Sequence, residues 1–145
     1  MNKDQRKVVV NRITELADAK IRKLAKERDD AVAALPTCTA RVADAVHKSK
    51  TLQADVVELF LAYLRNRLNY QAWGVNYPAD DSRLGVLRDK AYKQYDADKA
   101  KICENYNTRI DACNARASEL KLQVMLTDVP QALIDLLAAF QSEEF

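Results

Sequence analysis

Two stretches of the chain repeat their apolar residues every eleven positions. In the first, Val10, Ile21 and Val32 form one row and Ile13, Leu24 and Leu35 another. In the second, the rows are Leu84, Tyr95, Tyr106, Ala117 and Ala91, Ile102, Cys113, Val124. Eleven residues over three turns is about 3.67 per turn, so two such helices stay in contact while lying straight or winding slightly right-handed, unlike a heptad coil. The composition agrees. Ala, Glu, Lys, Leu and Arg make up close to half of the 145 residues, against two Gly and three Pro. The expected fold is all-α, an elongated antiparallel three-helix bundle or coiled coil with one very long helix and a short C-terminal one.

The breaks set the boundaries. A length of 145 residues suits one domain, 1–145, and is too short for two independent cores. Pro36 ends a first helix over about 3–35, because the residue before a proline is pushed out of the α region. Thr37 or Thr39 caps a second helix over about 39–73, which ends near Gly74. After Pro78, Asp80, Asp81 and Ser82, a third helix runs over about 81–126, roughly 69 Å at 1.5 Å per residue. Asp128 is the expected cap of a fourth helix over about 129–141, with Gln131 completing a capping box.

An up-down-up path for the first three helices leaves the last dozen residues of the third overhanging by about 18 Å. Helix four is apolar nearly all round, since only Asp135 is polar among residues 132–140. A short helix of that kind needs cover on several sides. The expectation is a homodimer in which two overhangs and two fourth helices share a core made of Leu120, Val124, Leu133, Leu136, Leu137 and Phe140. The alternative is that helix four folds onto its own bundle.

Much chemistry is excluded. Two glycines cannot build a phosphate-cradling loop, a dinucleotide fingerprint or a nucleophile elbow. The single histidine, His47, removes sites that need two imidazoles. Cys38, Cys103 and Cys113 have no metal-ligand spacing and suit buried thiols in a reducing compartment. A Cys103–His47 nucleophile pair lacks an orienting carboxylate, so packed thiol and surface imidazole is the plainer reading. No catalytic residue, metal or cofactor is expected. No 18-residue apolar run is present, and the polar start MNKDQRK lacks a signal-peptide core, so no membrane association and a cytoplasmic location are the expectation.

Net charge is +2, but its distribution is uneven: residues 1–28 carry +5 and residues 127–145 carry −4. Arg67, Tyr70, Trp73 and Tyr77 cluster at the second turn, in the residue types that dominate protein-binding hot spots. Trp73 also suits a plug at the end of the core. The folding arithmetic brings Lys3, Arg6 and Lys7 beside this turn as one basic and aromatic patch. Acids interrupt the basic face of helix one, which favours a solvated surface over nucleic-acid binding. The tail Ser142–Phe145 reads as a frayed terminus, although acidic and aromatic ends are captured by some peptide-binding modules. A non-enzymatic interaction protein follows: an adaptor or stoichiometric inhibitor with a protein partner. A virus-encoded inhibitor of a host enzyme fits this description. A nucleic-acid-binding accessory protein using the basic face of helix one is the alternative.

Overall fold

The computed structural model describes residues 2–51, 53, 54 and 82–145, and among these the fold is all-α. Helix α1 spans Lys3–Ala33. It opens with a reciprocal capping box: the Gln5 N–H donates to Asn2 Oδ1 at 2.9 Å, and the Asn2 N–H donates to Gln5 Oε1 at 3.1 Å. Leu35 and Pro36 stop it, and the Ala34 N–H makes a last bond to the Asp30 carbonyl at 3.0 Å. Helix α2 spans Cys38–Lys48 and is capped by Thr37, whose hydroxyl accepts from the Ala40 N–H at 3.1 Å.

The single helix expected over 39–73 is interrupted. Ser49 is extended (φ −126°, ψ 116°), and helical backbone resumes at Lys50. Serine competes for nearby backbone groups and is a weak helix former. The Gln53 side chain donates to the His47 carbonyl at 2.8 Å, satisfying an acceptor at the break.

Helix α3 spans Ser82–Leu126, 45 residues, and α4 spans Pro130–Ser142. The expected Asp128 cap on α4 is not made. Val129 is the N-cap without a side-chain bond, Pro130 fills the first helical position where no N–H is needed, and the Asp128 carboxylate is taken by Arg6. Gln131 bonds instead to Asp135 at 3.0 Å, one turn along.

The chain divides into two compact units, Met1–Ala34 with Ala100–Phe145, and Leu35–Lys99. In the second unit Arg41 ties α2 to α3. Its guanidinium pairs with Asp98 at 2.8 Å, lies 6.0 Å from the Tyr95 ring and donates to the Pro36 carbonyl at 3.0 Å.

In the first unit α1 runs antiparallel to the end of α3. Arg6 meets Thr127 and Asp128, Ala17 meets Cys113, and Arg28 donates to Asn107 at 2.8 Å. Helix α4 then returns along α1, bringing Gln141 and Glu143 to Lys20. This corrects the up-down-up path, in which helices one and three are parallel. It also removes the overhang, because the start of α1 lies beside the last turns of α3.

Burial follows the eleven-residue rows. Ile13, Leu24, Cys113, Val124, Ala91 and Ala117 are buried, and Val10, Ile21, Val32, Leu35, Tyr95, Ile102 and Tyr106 are half-buried. The core of the first unit joins Ile13 and Ala17 of α1 with Cys113, Ala117, Leu120 and Val124 of α3, closed by Leu133 and Phe140 of α4. Small side chains at 17, 113 and 117 let the two long helices approach closely.

The expected dimer seat is therefore occupied within one chain. Leu120, Val124, Leu133 and Phe140 are at most 2% exposed, and Leu136 and Leu137 pack against them. The stripe of α4 thus packs on α1 and α3 of its own chain, as the alternative of helix four folding onto its own bundle expects. Leu133→Ala is expected to cost about 2–5 kcal/mol in urea unfolding. Leu133→Asp with Leu137→Asp should abolish the cooperative transition of this unit, not yield a smaller particle of unchanged helicity; circular dichroism with sedimentation distinguishes the two.

Candidate functional site

The expected contact residues fare unequally. Arg67, Tyr70, Trp73 and Tyr77 lie outside the described residues. Lys3, Arg6 and Lys7 sit at the start of α1, which the antiparallel packing places beside Thr127 and Asp128. Arg6 is committed there: its guanidinium pairs with the Asp128 carboxylate and reaches the Thr127 carbonyl at 3.4 Å. A cation beside the final carbonyls of α3 also suits the negative end of that helix. Lys3 and Lys7 remain exposed.

Two further surfaces stand in the first unit. One is apolar. Leu122, Met125 and Leu126 are 67%, 59% and 85% exposed, and their i, i+3, i+4 spacing puts them on one face of the last turns of α3. Val129 at the turn and Ile134 in α4 are exposed as well. Scattered apolar side chains are ordinary on a surface, whereas adjacent large ones mark contact sites. The stripe is visible in the sequence, but an overhang covered by helix four hides its meaning.

The other surface is charged. Beyond α4 the residues Glu143–Phe145 lie back on the bundle. Lys20 Nζ donates to the carbonyls of Gln141 at 3.2 Å and Glu143 at 2.6 Å, and lies 5.5 Å and 6.0 Å from the Phe140 and Phe145 ring centres. Arg116 Nε donates to the Glu143 carboxylate at 3.2 Å, with a second arm to Glu119 at 3.1 Å. Those two hydrogen bonds, Glu143 first, hold the Arg116 guanidinium pKa above its ordinary value. Arg109 Nε donates to the Phe145 backbone oxygen at 2.7 Å and its guanidinium lies 5.0 Å from the Tyr106 ring. The Phe145 ring meets Phe140 edge-on at 6.3 Å and is half-buried. The tail is docked, contrary to the expectation of a frayed end. The opposite charges of the two chain ends are the sequence signal for it.

The remaining reactive groups are dispersed. Cys113 is buried, and burial pushes its thiol above the usual range, opposed by Lys20 and reinforced by Glu143. Cys38 and Cys103 are half-buried, and His47 is exposed in the last turn of α2. Among the described residues no three His, Cys, Asp or Glu side chains lie together as metal ligands, and no helix is long and apolar enough to cross a membrane. No family model, curated protein or solved structure matches the chain.

Thiol labelling under native conditions should modify Cys38 and Cys103 well before Cys113, whose thiolate is both scarce and covered. The folded Cys113 thiol holds its proton more tightly than the unfolded one. Its contribution to stability is therefore intact below the ordinary thiol range and falls as pH rises through that range. Cys113→Ala should lose this alkaline component in urea titrations. At the tail, Arg116→Ala and Glu143→Gln should each cost no more than about 1 kcal/mol, as expected of a partly exposed pair, and should be non-additive in a double-mutant cycle.

Proposed function

We propose that the protein works without catalysis, by binding another protein through the apolar corner where α3 gives way to α4, as an adaptor or a stoichiometric inhibitor. The observation that carries this reading is the exposure of Leu122, Met125, Leu126, Val129 and Ile134 in a chain segment that has already filled its own core. Apolar surface of this kind gains roughly 25 cal/mol for each Å² removed from water, and a partner's complementary patch is the way to remove it. The nearby polar groups Asp128 and Gln131 are tied to Arg6 and Asp135, so the corner offers few unpaired charges to desolvate.

The nucleic-acid alternative has less support. Of the nine cations in residues 1–28, Arg6, Arg12, Lys20 and Arg28 are engaged by groups of their own chain. The acids Glu15, Asp18, Asp29 and Asp30 are exposed among the others.

Met125→Glu with Leu126→Glu tests the proposal, because both side chains are exposed and the bundle should keep its helicity and unfolding midpoint. Immobilised wild-type protein is expected to retain a protein from a lysate of its native cell at near-equal amounts, through nuclease treatment and 200 mM salt, and the double variant should release it. Retained material that vanishes with nuclease overturns the reading, as does a roughly thousandfold loss of affinity between 50 and 200 mM salt. Equal retention by the double variant also overturns it. A corner-dependent dimer in sedimentation, with nothing else retained, replaces the partner by a second copy.

A further inference from the structure

The docked tail has the character of a bound peptide. Glu143 leaves the helical conformation (φ −71°, ψ 131°), and Glu143 and Phe145 lie against side chains of α1 and α3. Of the bonds that hold them, Lys20 to Glu143 uses a backbone carbonyl, which every peptide possesses, and Arg109 takes the oxygen of Phe145. Only two side chains are read, the Glu143 carboxylate by Arg116 and the Phe145 ring by Phe140 and Lys20. An acid followed two positions later by an aromatic residue therefore satisfies the groove, whatever chain supplies it.

The groove also offers more positive charge than its own tail uses. The cleft beside Phe145 is lined by Lys20, Lys23, Leu24, Glu27 and Arg109. Lys23 is exposed and makes no ion pair with a described residue, and the adjoining Glu144 is exposed as well. An occupant with one more acid in reach of Lys23 gains an interaction that the tail leaves unmade.

We propose that this groove between α1 and α3 is an acceptor for acidic segments of another protein that carry an aromatic residue two positions after an acid, and that Glu143–Phe145 is a tethered competitor that closes it. A short tether holds the tail at an effective concentration in the millimolar range, so an incoming segment must outbind it or arrive on a second contact. The bonds to be broken are few and partly solvent-exposed. The groove lies apart from the apolar corner in its residues, and the inference does not rest on the function proposed for that corner.

The test uses the full chain with Glu143→Gln and Phe145→Ala, which weakens the tail without shortening it. The probe is a fluorescein-labelled peptide of sequence Gln-Ser-Glu-Glu-Phe, followed by anisotropy. The double variant is expected to bind the peptide at least tenfold tighter than wild type does, and to ignore the control Gln-Ser-Gln-Gln-Ala. Lys20→Ala should weaken the peptide by tenfold or more in that background. Glu143→Gln with Glu144→Gln, which keeps the Phe145 contact, serves as a second opened form if the first loses helicity. Binding no tighter than wild type in an opened variant of native helicity overturns the proposal, and so does peptide binding indifferent to Lys20→Ala. Met125→Glu with Leu126→Glu should leave peptide binding unchanged, which separates a failure here from a failure at the corner.

Discussion

The antiparallel seam between α1 and the end of α3 is the contact on which the first unit depends. Ile13 and Ala17 face Cys113, Ala117, Leu120 and Val124, and the near-complete burial of these residues fixes which turn of one helix lies against which turn of the other. Once Ala17 is level with Cys113, Arg6 must reach the carbonyl end of α3, and it does so at Thr127 and Asp128. The same register opens a groove of the right length for α4, which drops Leu133 and Phe140 into the seam and carries Gln141 and Glu143 to Lys20. A slip of one turn would separate each of these pairs by about 5 Å, so the ion pairs act as register marks more than as sources of stability.

The helices and their buried rows were legible because both rest on local information. Eleven-residue spacing, Pro36, the Thr37 cap and the Pro130 break act within a turn or two, and the buried faces of α1 and α3 follow the rows at Ile13 and Leu24 and at Cys113 and Val124. The break at Ser49 was not legible, since a single serine inside an apolar pattern is common in unbroken helices. Direction was not legible either. A hendecad row looks the same to a parallel and an antiparallel neighbour, so the rows could not say whether α1 lies along α3 head to head or head to tail. The charge asymmetry held the missing information: +5 at one end of the chain and −4 at the other favour the arrangement that brings those ends together.

That neutralisation has a consequence for function. Two of the nine cations of residues 1–28, Arg6 and Lys20, face the acidic C-terminal segment or its carbonyls. What remains on α1 is a mixed surface of Lys3, Lys7, Arg22, Lys23 and Lys26 among exposed acids. Exposed charges of alternating sign are screened within about 10 Å at ordinary ionic strength, so such a face projects little net field beyond its own surface.

Helix α4 shows how one face of an apolar helix is covered by its own chain. Its large side chains Leu133, Leu136, Leu137 and Phe140 fall at i, i+3, i+4 and i+7, one stripe, and the stripe is covered by the chain's own core. The residues that make the helix look apolar on its other sides are Ala132, Ala138 and Ala139, which expose little area and lose little by meeting water. A helix needs cover for its large apolar groups, and by that measure α4 is satisfied except at Ile134. Ile134 is not alone, because Val129 and the last turns of α3 leave Leu122, Met125 and Leu126 bare beyond the turn. The exposed large apolar side chains of this unit thus gather at the last turns of α3 and the start of α4 more than along the covered stripe of α4.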